Sequence, residues 1–104
     1  MSFARHTPAA WAVHPGEILK QEFLRPMRIT GYGLAKALAV KPQSVNDIVL
    51  KKRGISADMA MRLARFLGTT PEFWMNLQTA YELTEARTVL REKIEKIRPH
   101  NSAA

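Results

Sequence analysis

GLAKALAVKPQSVNDI, residues 33–48, has the spacing of two short helices that are joined by a tight turn. Two such helices cross closely, so the first needs a small side chain at the crossing, and Ala35 occupies that position. The stretch therefore predicts a helix-turn-helix. Its apolar contacts are predicted at Leu34, Leu38, Val40, Val45 and Ile48.

The second helix of this pair begins with polar side chains that core packing does not explain. Amide and hydroxyl groups are mediocre helix formers because they compete for backbone hydrogen bonds. They can, however, hydrogen-bond the edges of base pairs, and the start of a recognition helix enters the major groove. We therefore predict base contacts from Gln43, Ser44, Asn46 and Asp47.

The positive charge is concentrated around this pair of helices. The chain has a formal net charge of +7, and residues 20–65 hold ten Lys or Arg and three acids, whereas residues 66–104 hold five of each sign. This distribution favours double-stranded DNA over a membrane, because a membrane-binding helix would add a large apolar face. A solvated basic surface is the alternative. The predicted backbone contacts are Tyr32, Lys36, Lys41, Lys51, Lys52 and Arg53.

The remaining sequence is also helical in pattern, since no segment alternates apolar and polar residues over the length of a strand. Capping signals predict helices at about 15–25, 31–39, 42–50, 57–67, from 71, and at 84–98. The predicted N-caps are His14, Thr30, Ser56, Thr70 and Thr84. Helices are expected to end at Pro26, Gly68 and Pro99. The fourth helix is expected to face the core with Met59, Ala60, Leu63, Phe66 and Leu67. We predict an all-α, compact five- to six-helix bundle.

The predicted organisation has four parts. Residues 1–13 form an N-terminal arm, and residues 14–83 form the domain that contains the helix-turn-helix. Residues 84–98 form a C-terminal helix, and residues 99–104 form a flexible tail.

Several classes of function are disfavoured. The absence of cysteine excludes disulfides and thiolate metal sites, and His6, His14 and His100 have no second ligand at useful spacing. We expect no metal, no cofactor and no enzyme, since no catalytic group of His, Ser or carboxylates emerges. His14 is expected to cap or pack at a helix start. No apolar run has membrane-spanning length and residues 1–13 lack a signal-peptide core, so we expect a cytoplasmic protein without a membrane partner.

Residues 33–48 resemble the helix-turn-helix of the phage-repressor-like (Xre) regulators. HPGEIL at 14–19, LAKAL at 34–38 and KRGISADMAMRLARFLGTTPEFWMNLQTAYEL at 52–83 resemble, more narrowly, the HigA (VapI-like) antitoxins of bacterial toxin–antitoxin operons. The resemblance implies a lambda-repressor-like fold in a DNA-binding antitoxin, which represses its own operon and neutralises a small RNA-cleaving toxin. Composition and spacing alone indicate only a basic helical DNA binder.

Two positions depart from the pattern of these antitoxins. The family usually has glycine in the turn, where this chain has Ala39, and glycine before Lys52, where this chain has Lys51. A residue other than glycine strains the turn if its φ is positive.

Two kinds of protein partner are expected, a second copy of this chain and a toxin. One recognition helix reads few base pairs, so we expect a homodimer on a palindromic operator, with recognition helices about 34–36 Å apart. The resemblance implies a small basic HigB-like toxin as the other partner, held by the neutral C-terminal half with its Glu82, Glu85, Glu92 and Glu95 or by the arm around Phe3 and Trp11. A stand-alone Xre-type regulator without a toxin is the alternative. The candidate dimer or toxin surface is Phe73, Trp74, Leu77, Tyr81, Leu90, Ile94 and Ile97.

Overall fold

A computed structural model describes residues 13–100 of the chain. The predicted arm with His6, Phe3 and Trp11 therefore lies outside the described residues, as do the last four residues of the predicted tail. All regular structure between residues 13 and 100 is helical, which confirms the all-α class. The first helix, α1, has three consecutive segments, and four further helices follow it. The α1 segments are Pro15–Ile18, Leu19–Leu24 and Arg25–Met27; the others are α2 (Gly31–Leu38), α3 (Pro42–Val49), α4 (Ala57–Leu67) and α5 (Pro71–Glu95).

The helix starts confirm the capping signals in the sequence. The Thr30 hydroxyl accepts a hydrogen bond from the Gly33 amide at 2.9 Å, which satisfies one of the unpaired N–H groups at the start of α2. Ser56 caps α4 and Thr70 caps α5 in the same way. The chain entry into each of these helices is therefore fixed locally.

Helix α1 changes its hydrogen-bonding register along its length. Residues Leu19–Leu24 are π-helical, and the amide of Arg25 donates to the carbonyl five residues back, at Lys20. Pro26, which has no amide to donate, was predicted to end the helix, and α1 in fact ends one residue later. Arg28 follows in the left-handed region with φ 57°, which turns the chain towards α2.

The core confirms the predicted crossing of α2 and α3. Ala35, Val45 and Ile48 are at most 1% exposed, so the apolar residues of both helices face inward. Trp74 of α5 lies fully buried in the same cluster. The largest fully buried side chains are Trp74, Leu19, Leu34, Ile48, Leu63 and Val45.

One core prediction for α4 is wrong. Phe66 is 45% exposed, whereas Met59, Ala60 and Leu63 are buried as expected. The buried stripe of α4 is narrower than its apolar composition indicates, and it does not extend to Phe66. This side chain instead lines a surface cleft between α2 and α4.

The predicted break before Thr84 is also wrong. Helix α5 is continuous for 25 residues, and Thr84 lies inside it. The expected boundary between residues 83 and 84 thus falls within one helix, whose length is about 37 Å at 1.5 Å per residue. We call residues 83–95 the distal half of α5. The buried residues of α5, Trp74 and Gln78, both precede this half. Among residues 13–100, no helix is both long and apolar enough to cross a membrane.

Candidate nucleic-acid interface

Helix α3 exposes two of the four predicted base-reading residues to solvent. Gln43 and Asn46 are exposed, whereas Ser44 and Asp47 are half-buried. Gln43 and Asn46 line a shallow depression together with Tyr32 at the start of α2. The fold therefore brings two amide side chains and one aromatic ring to a single outward-facing surface.

Asp47 is engaged by its neighbour on the same face of α3. The Nε2 of Gln43 donates a hydrogen bond to Oδ1 of Asp47 at 3.0 Å. The carboxylate therefore holds the amide of Gln43 in one orientation, with its Oε1 directed away from Asp47. Of the four predicted base-reading residues, Gln43 and Asn46 are therefore the more accessible hydrogen-bonding groups.

The C-terminal end of α3 rests directly on the first turn of α1. A Cβ atom at Gly16 would overlap the backbone carbonyl of Ile48, so only glycine allows α1 to approach this closely. The contact fixes the position of α3 relative to α1. Sequence reasoning missed this role of Gly16, because a glycine in a first helical turn carries no signal for a close approach.

His14 caps α1 beside this contact, as predicted. Its Nδ1 accepts a hydrogen bond from the Gly16 amide at 2.8 Å, and its ring meets the edge of Tyr81 with 4.9 Å between centroids. Only 5% of His14 is exposed. Burial lowers the pKa of His14 below its ordinary value of 6.5, and the positive charge of Lys51 lowers this pKa further.

The turn between α2 and α3 has a left-handed residue, and that residue is alanine. Ala39 has φ 60° and ψ 43°. The amide of Val40 donates to the Ala35 carbonyl at 3.0 Å, a hydrogen bond that closes the end of α2. Sequence reasoning missed one further contact, in which Nη1 of Arg62 donates to the Leu38 carbonyl at 2.7 Å. Arg62 thus ties α4 to the turn.

The loop after α3 contains the second departure from glycine, and it is also left-handed. Lys51 has φ 66°. Its amide donates to the Ile48 carbonyl at 3.0 Å, and the Lys52 amide donates to the Asp47 carbonyl at 2.7 Å. Both positions at which the antitoxin pattern has glycine therefore adopt the backbone conformation that glycine adopts most easily.

The six predicted backbone-contact residues are all exposed: Tyr32, Lys36, Lys41, Lys51, Lys52 and Arg53. They lie at the start of α2, in its last turn, in the turn and in the loop after α3. Lys51 has a partner within the chain, because its Nζ lies 3.9 Å from Oε1 of Glu17. Its charge is therefore shared with a carboxylate on α1.

A buried amide on α5 anchors the loop after α3, and sequence reasoning did not identify it. Oε1 of Gln78 accepts a hydrogen bond from the Ile55 amide at 2.7 Å, and its Nε2 donates to Oε2 of Glu82 at 2.7 Å. Gln78 is only 7% exposed. Its position four residues after Trp74, on the buried face of α5, is the signal that the sequence contained.

The seven residues of the predicted dimer or toxin surface fall into two groups along and just beyond α5. Trp74 is fully buried and its Nε1 donates to Oγ1 of Thr69 at 2.7 Å, so its assignment to a surface is wrong. Leu77 and Tyr81 are half-buried, and Leu77 packs against the core cluster. Phe73 is 37% exposed, but its ring contacts Trp74 with 5.0 Å between centroids, so this first group packs partly against the protein's own chain.

The second group is exposed. Leu90 is 37%, Ile94 54% and Ile97 65% exposed, and Ile97 lies just beyond the end of α5. Within the predicted dimer or toxin surface, the residues on and next to the distal half are thus the ones that no core contact covers. Elsewhere in residues 13–100, no group of three His, Asp or Glu side chains could hold a metal ion.

Comparisons with known proteins agree with this geometry. A family profile described as helix-turn-helix matches residues 21–74. Virulence-associated protein I of Dichelobacter nodosus is 52% identical over 75 residues, which cover 72% of this chain and 69% of the relative. Antitoxin HigA-1 of Vibrio cholerae is 40% identical over 87 residues, covering 84% of this chain and 82% of the relative.

A solved structure extends the similarity to three dimensions. The structure of Pseudomonas aeruginosa antitoxin HigA with the higBA promoter is similar with a TM-score of 0.82 and 49% identity, and the match covers 86% of this chain and 98% of that chain. Proteins of this family are helix-turn-helix regulators and not enzymes. The chain belongs to the Xre-type helix-turn-helix family, among the relatives of the HigA antitoxins and virulence-associated protein I.

Proposed function

We propose that this protein is a sequence-specific DNA-binding antitoxin that represses its own operon and neutralises a small RNA-cleaving toxin. The observation that carries the DNA half of the proposal is the exposed amide pair, Gln43 and Asn46, at the start of α3. The similar Pseudomonas aeruginosa protein is described with promoter DNA, which supports the same use of this surface here. A cytoplasmic location follows from a DNA partner.

The two amides suit adenine. The side-chain amide of Gln or Asn can accept a hydrogen bond from adenine N6 and donate one to adenine N7 in the major groove. Gln43 is held by Asp47 at 3.0 Å, so its amide is oriented before DNA arrives. Preorganisation of this kind reduces the entropic cost of forming the complex. We therefore assign Gln43 as a base reader and Asp47 as the residue that orients it.

The basic side chains around α3 supply the sequence-independent part of binding. Lys41 precedes α3, and Lys52 and Arg53 follow it, so phosphates on both sides of a groove are within the reach of this region. Contacts of this kind position a protein on the duplex without reading its sequence. Lys51 is available as well, because its contact with Glu17 at 3.9 Å is an exposed and weak ion pair.

The proposed assembly is a homodimer through the distal half. Leu83 and Leu90 lie seven residues apart in α5, and Ile94 lies on the same face as Leu90, which is the spacing that two packed helices use. These three are exposed in the protomer, at 46%, 37% and 54% respectively, and Ile97, just past the end of α5, is 65% exposed. Pairing with a second copy would cover them and place two recognition helices on one palindrome.

The proposed toxin partner is basic. Glu82, Glu85, Glu92 and Glu95 lie along α5 and are exposed, so this helix offers carboxylates to a cationic protein. A stand-alone regulator is the second candidate, because every residue that supports DNA binding would serve it equally. If a short adjacent gene encodes a basic protein, that protein should co-purify with this chain after co-expression. Its ribonuclease activity should be lost in the complex. A neighbourhood without such a gene would favour the stand-alone regulator.

The DNA half of the proposal is tested by Gln43→Ala. We expect a loss of roughly 1–3 kcal/mol in binding to DNA from upstream of the protein's own gene, with relaxed preference at one base pair. Asn76→Ala is the matched control, because Asn76 is an exposed amide on α5, away from α3. Fluorescence anisotropy on the upstream duplex and on random duplex measures both. An equal loss on the two duplexes would contradict base reading by Gln43.

A further inference from the structure

We propose that Gln78 is a positioning residue for DNA binding, which holds the phosphate-contacting loop after α3 against α5. The inference rests on the proposed function. Its basis is the hydrogen bond from the buried Ile55 amide to Oε1 of Gln78, at 2.7 Å, between residues 23 positions apart. The loop that carries Lys52 and Arg53 ends at this hydrogen bond.

The surroundings of Gln78 show that its amide is fitted to the loop. A Cβ atom at Gly54 would lie 2.6 Å from Nε2 and 2.7 Å from Oε1 of Gln78, so the amide packs flat against the glycine backbone. On its other side, Nε2 donates to Oε2 of Glu82 at 2.7 Å, which determines which end of the amide faces the loop. Both polar atoms of Gln78 therefore have partners.

The hydrogen bond joins the two parts of the molecule that DNA binding must coordinate. Ile55 is 3% exposed and belongs to the core, whereas Lys52 and Arg53, three and two residues before it, are exposed. The N-terminal side of the loop is held by the hydrogen bond from the Lys52 amide to α3 at 2.7 Å. Gln78 holds the C-terminal side to α5, the helix that continues into the proposed dimer surface.

A loop that is fixed at both ends presents its charges at a defined distance from the recognition helix. Removal of the Gln78 amide would leave the Ile55 N–H group buried without a partner, and such a group is costly. The loop can then move to reach water. We expect this movement to take Lys52 and Arg53 away from the phosphates while the core of the protein stays folded.

The test compares Gln78→Leu with an exchange of the two polar groups. In the double variant Q78E/E82Q, the carboxylate at position 78 can accept from the Ile55 amide and from the new amide at position 82, and the net charge is unchanged. Leu77→Ala serves as a control for destabilisation alone, because Leu77 is a half-buried core side chain next to Gln78. Each full-length variant is titrated with the upstream duplex over a range of KCl concentrations, and its active fraction is determined by stoichiometric binding.

We expect Q78L to bind more weakly, with a slope of log affinity against log salt that is smaller by about 0.9 for each phosphate that the loop no longer neutralises. The double variant Q78E/E82Q should keep the wild-type slope, and its Ile55 amide should stay protected from hydrogen exchange. The single variant Q78E should fall between them, since its carboxylate faces Glu82. L77A should lose stability but keep the slope.

Two outcomes of the salt titration would overturn the role of Gln78: equal slopes for wild type and Q78L, or an equal loss of slope in L77A. A wild-type chain without preference for the upstream duplex over random duplex would instead overturn the proposed function. The Ile55 amide distinguishes these cases further, because its protection is measured without DNA. Wild-type protection of this amide in Q78L would also overturn the role.

Discussion

The two halves of helix α5 have different surroundings although they share one continuous backbone. In residues 71–82, Trp74 is fully buried and Gln78 is 7% exposed, and both have hydrogen-bond partners outside their own helical turn. In the distal half, Leu90 is 37% and Ile94 54% exposed, and Arg91 and Glu95 form an exposed ion pair at 3.7 Å. Exposed pairs of this kind are worth at most about 1 kcal/mol. The first half is therefore stabilised by its own chain, whereas the distal half depends on helix propensity and, in the proposed dimer, on the second copy.

The largest expected effect distinguishes the two halves directly. Trp74→Ala should lower the free energy of unfolding by about 3–5 kcal/mol, because it opens a large cavity in the core and leaves the Thr69 hydroxyl without the indole N–H. Ile94→Ala, on the same helix, should lower it by about 0.5 kcal/mol or less in the monomer. Urea unfolding at low protein concentration measures both. Similar losses for the two variants would show that the distal half packs against its own chain.

The next effect concerns association. The double variant L90D/I94D places two carboxylates on the apolar face of the distal half, and we expect it to weaken dimerisation at least about tenfold, or 1.4 kcal/mol. Val89→Asp is the matched control, since Val89 is 74% exposed but lies off the seven-residue repeat. Sedimentation over a concentration series compares them. A dimer that survives L90D/I94D and dissociates in another variant would move the interface away from α5.

A smaller effect concerns backbone strain in the turn between α2 and α3. Ala39→Gly should raise the free energy of unfolding by about 1 kcal/mol, because φ 60° is unfavourable for alanine and not for glycine. Ala37→Gly is the control, because the same change inside α2 should lower it by about 0.5–1 kcal/mol. Opposite signs in thermal or urea unfolding would confirm the left-handed turn. Two losses of equal size would contradict it.

The smallest effect is the pH dependence that His14 contributes. Burial and Lys51 lower its native pKa below 6.5, so the unfolded chain takes up the proton first as the pH falls. This part of the stability is complete above pH 6.5 and decreases from there down to the native pKa. His14→Asn keeps a capping acceptor but does not titrate. Unfolding free energies between about pH 7.5 and 5 should therefore fall more steeply for wild type than for H14N, and parallel curves would rule out this contribution.

The sequence predicted those features that depend on neighbouring residues. Thr30, Ser56 and Thr70 cap helices because a hydroxyl just before an amphipathic segment is a local signal, and all three hydrogen bonds are present. Thr84 carries the same chemistry but lies inside α5. Residues 83–86 contain neither glycine nor proline, so nothing there interrupts the helix.

Contacts between distant residues could not be predicted in this way. Gln78 meets Ile55 across 23 positions and Arg62 meets Leu38 across 24, and no periodic pattern encodes such pairs. The proposed base-reading surface was easier to predict, because burial of Val45 and Ile48 leaves Gln43 and Asn46 on the exposed side of α3. Even so, the half-burial of Asp47 depends on how α3 packs against the rest of the chain.

The left-handed alanine at the turn also has a consequence for the amount of protein in a cell. Proteases cleave the transiently opened chain, and cleavage follows the population of the open form when opening and closing are fast. A stability difference of about 1 kcal/mol changes that population roughly fivefold. At equal synthesis, Ala39 should therefore give faster turnover and a lower steady-state level than glycine would. One backbone angle, φ 60° at Ala39, should thus lower the number of folded copies that are available for the proposed operator.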